Sequence, residues 1–125
     1  MKNEKDFWYR DKVVSGGGGG KTIGFPTVNL DPTPFIKRLK EGVYSSKVKY
    51  LDKIYLGALY FGPRLINKET KSILEIYILD FDKQIYGERL EFKIGRYIRK
   101  VKELKSLQSL KNQIKKDVEK IKTLN

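Results

Sequence analysis

In the run Ser72-Ile73-Leu74-Glu75-Ile76-Tyr77-Ile78-Leu79-Asp80-Phe81, a single carboxylate, Glu75, stands inside an apolar stretch of β type. Alternation along a strand puts Glu75 on the face of Ile73, Tyr77 and Leu79, with Leu74, Ile76 and Ile78 opposite. Both faces read as apolar, so a charge there is costly unless it is paired, protonated or at the mouth of a site. A partly desolvated glutamate with a raised pKa suits a general base acting on a hydroxyl. The alternative is a structural ion pair with a nearby lysine or arginine. Tyr77, in the same strand, reads as core.

A second pattern lies upstream, in Gly24-Phe25-Pro26-Thr27-Val28-Asn29-Leu30. Pro26 fixes its own backbone and pushes Phe25 towards an extended conformation. If the chain continues extended, Thr27 and Asn29 point the same way. Two neutral oxygens side by side suit Mg²⁺, which prefers hard ligands and completes its shell with water and phosphate oxygens. Taken alone, a Thr-x-Asn pair is also common turn chemistry.

What raises its interest is the run before it: Ser15, then Gly16, Gly17, Gly18, Gly19 and Gly20, then Lys21 and Thr22. A nucleotide-binding P-loop needs a glycine where Ser15 stands and a helix directly after the Lys-Thr pair, whereas Gly24-Phe25-Pro26 follows at once. The P-loop is excluded, and a Rossmann turn for the same reason. A flexible linker is an alternative, although only a dozen residues precede the loop. A glycine loop can instead present its amides to phosphate oxygens as a nest, with Lys21 adding charge.

The chain has no histidine and no cysteine, which removes imidazole bases, thiolate nucleophiles, disulfides and His/Cys metal sites. Chemistry must come from carboxylates, hydroxyls, lysines, arginines, backbone amides or a metal held by oxygen. The formal charge of +12 favours anionic partners, but lysines run from Lys2 to Lys122, as on an ordinary solvated surface. With 125 residues the chain is long enough for one domain and its core. Neither an apolar run of membrane-spanning length nor a secretory leader is present, so the expectation is a soluble, cytoplasmic protein with no membrane partner.

The elements that must position these groups are mostly strands. Candidates are residues 7–14, 24–30, 42–51, 54–62, 72–81 and 88–95, with Asp52-Lys53 as the turn of a hairpin. Their close spacing predicts a small antiparallel barrel. Residues 1–6 read as frayed. Over residues 104–122 the period changes: Leu107, Leu110, Ile114, Val118 and Ile121 form the stripe of an amphipathic helix, with Ser106 as N-cap. It reads as packed on the barrel with a wet lysine face, rather than as a membrane or nucleic-acid helix.

In this order, the motifs resemble the riboflavin kinase family over roughly residues 9–121. The Gly loop leading to Gly-Phe-Pro-Thr-Val-Asn-Leu resembles the family's G-[FI]-P-T-A-N-L anchor. Glu41-Gly42-Val43-Tyr44 resembles its G-V-Y-A strand. The segment from Leu74 to Phe92 is similar to its E-V-H-I-L-D-F…Y-G segment. Tyr97-Ile98-Arg99 onward, through Ser106, Leu110, Gln113, Ile114 and Asp117, is similar to its I-R…S…L…Q-I…D tail.

The resemblance implies an all-β fold, a six-stranded antiparallel barrel of Greek-key type with a C-terminal α-helix. It also implies transfer of the γ-phosphate of ATP to the ribityl 5′-hydroxyl of riboflavin, giving FMN and ADP, with Mg²⁺ (or Zn²⁺ or Mn²⁺) as cofactor. Carried over by position, Gly16 to Thr22 cover the nucleotide phosphates, Thr27 and Asn29 lie by the metal, Glu75 is the base, and Arg99 lies in a flap near the flavin. The expected form is a monomer with one kinase domain over residues 1–125.

There are departures. Gly19 stands where relatives usually carry Arg or Lys, Asp11 where they carry Gly, and the tail phenylalanine expected near Leu104 is missing. These keep a binding-only flavin or nucleotide barrel as the alternative. A basic RNA-binding barrel is a further one, but Tyr44, Tyr55, Tyr60 and Phe61 sit in apolar strands and not on an open stacking face. Nucleic acid is therefore not expected as a partner.

Overall fold

The computed structural model describes residues 7–14, 27–63 and 71–125. Six strands form: β1 (Tyr9–Lys12), β2 (Thr27–Leu30), β3 (Gly42–Tyr50), β4 (Lys53–Pro63), β5 (Ser72–Ile78) and β6 (Arg89–Arg99), followed by helix α1 (Leu107–Thr123). All pairings are antiparallel, in the order β1-β6-β3-β4-β5-β2. The sub-order β6-β3-β4-β5 is a Greek key, three consecutive strands with the fourth returning beside the first. The sheet curls into a half-barrel. Its outer strands meet at one bridge, where Val14 N donates to Asn29 O at 2.8 Å.

One face of the sheet fills the interior. Val48, Leu59, Leu74, Ile76, Ile78 and Phe92 are almost completely buried there. Phe35, from a 3-10 turn at Thr33–Phe35, closes one end against Tyr9 and Phe92, with Tyr9 centroids 5.0 and 5.4 Å from the other two. Asp31 Oδ1 caps that turn by accepting from Thr33 N at 3.0 Å. Asp11 accepts from Asp31 N through Oδ2 at 3.1 Å and so ties β1 to the chain leaving β2.

The hairpin turn differs by one residue from the sequence expectation. It is made by Leu51-Asp52, with φ of 48° and 65°, because a two-residue turn of the I′ type matches the strand twist and needs two left-handed residues. Strand β5 stops at Ile78, where Asp80 turns left-handed at φ 57°. Strand β6 runs on to Arg99, four residues beyond the expected end.

That extension passes a bulge. The register of β3 with β6 shifts between Tyr44 and Ser46 and again between Val43 and Tyr44, so Val43 faces Arg99 instead of Tyr97. Ser45 Oγ accepts from Arg96 N at 2.8 Å inside the irregularity. Gly42, at φ 153°, lies directly beneath the displaced strand: a Cβ there would be 2.4 Å from Arg99 O and 2.5 Å from a Tyr97 ring carbon. Gly42→Ala is therefore expected to cost about 2–4 kcal/mol, from overpacking plus backbone strain. A denaturant midpoint equal to that of the parent protein would contradict this.

Helix α1 begins as read, with Ser106 Oγ accepting from Ser109 N at 3.1 Å. It packs on the outer face of the sheet against β4 and β6. Its buried side differs from the expected stripe: Ile121 and Asp117 are buried, while Leu107 is exposed.

Candidate active site

Strand pairing lines up the predicted residues before any side-chain contact is considered. Asn29 faces Glu75, Glu75 faces Tyr60, Tyr60 faces Val43, and Val43 faces Arg99. Directly opposed residues share a face, so one row crosses five strands on the outer side of the sheet. The next row holds Thr27, Tyr77 and Ala58. The alternation read from the sequence holds: Leu74, Ile76 and Ile78 point into the barrel and Glu75 points away. The Glu75 face is not a second core. Glu75 is half-buried there, on a cavity that residues of α1 also line.

Between sheet and helix is a cavity lined by Thr27, Glu75, Tyr77 and Arg99 from the strands and by Leu104, Leu110 and Ile114 from the helical side. Thr27 Oγ1 donates to Glu75 Oε2 at 3.3 Å. Tyr77, expected in the core, stands on this wall. Burial first, and then the Asp80 carboxylate, raise its phenol above the ordinary value, which keeps the hydroxyl protonated. Leu104, where the resemblance led to the expectation of a phenylalanine, is part of the lining.

Thr27 and Asn29 point the same way from β2 and flank Glu75 on β5. Hydroxyl, amide oxygen and carboxylate make an all-oxygen donor set, which fits Mg²⁺ and not a soft metal. Among the described residues no group of three or more His, Cys, Asp or Glu is gathered. A cation here would therefore complete its shell from phosphate oxygens and water. The glycine loop, Gly16 to Gly20 with Lys21 and Thr22, lies outside the described residues.

Arg99 is placed at the end of β6, and its guanidinium is engaged. Nε donates to Asp117 Oδ1 and Nη2 to Asp117 Oδ2, both at 2.9 Å, while Nη1 donates to Lys100 O at 3.1 Å. Gln113 Nε2 adds a third bond to Asp117 Oδ1 at 3.1 Å, and Gln113 Oε1 accepts from Lys102 Nζ at 3.2 Å. Both partners of the ion pair are largely buried, a geometry in which a bidentate fork is strongest. Asp117 was missed as a functional position, although a signal was present. Leu110, Ile114, Asp117 and Ile121 step by four, three and four, so Asp117 is a lone carboxylate on an apolar helical stripe.

With this geometry in place, relatives can be compared. The chain matches the Flavokinase (riboflavin kinase) family over residues 3–125. It is 37% identical over 107 residues to an RNA-binding riboflavin kinase of Bacillus subtilis (strain 168), covering 85% of this chain and 46% of that protein. It is 34% identical over 106 residues to a bifunctional riboflavin kinase/FMN adenylyltransferase of Listeria monocytogenes, covering 84% of this chain and 34% of the relative. The chain thus spans less than half the length of these curated relatives. The crystal structure of riboflavin kinase from Trypanosoma brucei superposes with a TM-score of 0.64 at 25% identity, covering 94% of this chain and 75% of that one. A match along almost the whole chain, on the same barrel and helix, means that this chain belongs to the riboflavin kinase family.

Proposed function

We propose that this chain is a single riboflavin kinase module that transfers the γ-phosphate of ATP to the ribityl 5′-hydroxyl of riboflavin, giving FMN and ADP. The observation that carries the reading is the convergence of Thr27, Glu75 and Arg99 on one cavity between the sheet and α1, in a member of this family.

Glu75 acts as general base. Its carboxylate takes the proton of the 5′-hydroxyl as that oxygen attacks the γ-phosphorus; the bond to the bridging oxygen breaks and ADP leaves. Thr27 donates to one carboxylate oxygen, which leaves lone pairs on the other for the substrate proton. Thr27 and Asn29 would hold a divalent cation, Mg²⁺ being the best fit to their oxygens, and it would supply charge neutralisation for the transferring phosphoryl group. The apolar wall of Leu104, Leu110 and Ile114 takes the flavin and excludes water from the base. Arg99 acts through Asp117 by fixing α1 as that wall. Gly16 to Thr22 cover the nucleotide phosphates, with Lys21 as the loop's cation.

The decisive experiment incubates the protein with riboflavin and Mg·ATP and follows FMN by chromatography. FMN formation is expected. Quenched flavin fluorescence without FMN would replace this reading with a binding-only barrel. Thr27→Ala is expected to raise the KM for Mg·ATP about tenfold, in the range of lost metal-site contacts. The same KM across a magnesium titration would remove Thr27 from the metal's surroundings.

A further inference from the structure

Away from the cavity, the outer face of β1, β6 and β3 carries a different chemistry. The rows set by strand pairing place Arg10 beside Glu91 and Glu91 beside Lys49, then Lys93 beside Lys47. The adjoining rung pairs Lys12 with Arg89. Glu91 is the acid within these rows, and its contact with Arg10 is long, at 3.9 Å, between partly exposed side chains. Just before β1 stands Trp8, half-buried, with Lys49 Nζ and Lys93 Nζ over its ring at 4.7 and 4.9 Å from the centroid. Helix α1 does not reach this region, since it packs on β4 and β6 near the cavity. Along β3, Lys47 and Lys49 lie four and six residues from the cavity residue Val43, roughly 13–20 Å away.

We infer that this face binds single-stranded nucleic acid, with Trp8 stacking a base and Lys47, Lys49 and Lys93 meeting the phosphates. The overall excess of positive charge leaves the partner open, but the local arrangement narrows it. A flat aromatic ring set among lysines, on a sheet face that no helix among the described residues covers, combines the stacking platform and the electrostatic track that a single strand requires. Tyr44 and Phe61 are buried, and Tyr55 and Tyr60 are half-buried on strand β4, outside this face; Trp8 is the aromatic ring that the lysines surround. Ammonium groups over an indole are held by its π face. A base arriving there takes that face, and the displaced lysines move onto the phosphates on either side. An anionic membrane would satisfy the lysines, but the exposed aliphatics near them, Leu51 and Ile54, are confined to the hairpin end.

Trp8 is the single tryptophan of the chain, so its emission reads this face directly. The test titrates the protein with oligouridylate and oligothymidylate, each of about ten nucleotides, with heparin and with phosphatidylserine vesicles in parallel; affinity for the oligomers should fall with salt by about 0.7 log unit per log unit for each phosphate contacted. Quenching by the oligomers, with a slope corresponding to about three phosphates, is the expected result, and a stronger response to one oligomer would identify RNA or DNA as the preferred strand.

Replacing Lys47, Lys49 and Lys93 together by Gln should weaken binding about tenfold or more near 0.1 M salt, by loss of those phosphate contacts. Replacing Lys111, Lys115 and Lys116 on α1 by Gln, an equal change in net charge, should leave binding within about twofold, because no phosphate contact is removed there. FMN formation should be unchanged in both. If the first triple variant fails to fold, Lys47→Gln alone must still lower the salt slope by about 0.7. Absence of quenching, an equal loss in both triple variants, heparin matching the oligomers, or a response to vesicles alone would each overturn the inference.

Discussion

Glu75→Gln is expected to leave the barrel folded and riboflavin bound and to lower FMN formation by about 10²–10⁴-fold, the usual contribution of a positioned general base. The substitution is nearly isosteric. Glutamine keeps a carbonyl oxygen to accept from Thr27 Oγ1, so the cross-strand contact between β2 and β5 survives. What disappears is the ability to take a proton from the attacking hydroxyl. Leu74 and Ile76, on either side, point into the barrel and are untouched by a change on the outer face. Two measurements separate the effects: flavin fluorescence titration for binding and single-turnover FMN formation for chemistry. A variant that phosphorylates riboflavin at the parent rate would end the base assignment. One that loses flavin affinity in step with rate would make Glu75 a binding residue instead.

Arg99→Ala produces the largest loss of stability expected from a single change on this face, about 3–5 kcal/mol, because it leaves the buried Asp117 carboxylate uncompensated. The bidentate pair is the polar tie by which α1 is held to the end of β6, and Gln113, one turn earlier in the helix, adds a bond that orients Asp117. For a domain of this size such a loss lowers the melting temperature by about 10 °C or more. Replacing both partners with apolar residues of similar volume, Arg99→Met with Asp117→Leu, should recover most of it, since a buried ion pair is costly to break but not to replace. Denaturant unfolding of the three proteins tests this. A single variant losing less than about 1 kcal/mol would mean the pair is solvated in practice. The double variant also tests function: if Arg99 acts by positioning α1, riboflavin affinity returns with stability, whereas direct flavin contact would leave it impaired.

The positions legible in the sequence and those that were not differ in the range of the interactions that place them. The alternation that sets Glu75 on the face opposite Leu74, Ile76 and Ile78 was legible in the sequence, and the Thr27/Asn29 pair followed from the proline before it; both are local consequences of backbone geometry. The helix start at Ser106 is likewise local, a cap bonded three residues on. The resemblance to the riboflavin kinase family also put Arg99 and Asp117 in one tail motif, but not in contact. Tyr77 was read as core because a sequence shows that a face is apolar without showing whether a barrel interior or a helix covers it. Leu107 was assigned to the buried stripe on periodicity alone, and in the structure it is exposed at the first position of the helix.

The amino-acid sequence by itself determined the six-strand pattern, the terminal helix, the family and the face that Glu75 shares with Tyr77. These rest on side-chain alternation, capping and motif order, each of which acts over a few residues. The tertiary structure alone decided that Thr27, Glu75 and Arg99 line one cavity. The sheet order brings β2 beside β5, and the two register shifts against β3 carry Arg99 opposite Val43. It also decided that Asp117 answers Arg99 and that Trp8 lies beneath Lys49 and Lys93. Pairing register and helix docking are set by the packing of residues tens of positions apart, and no local pattern carries that information.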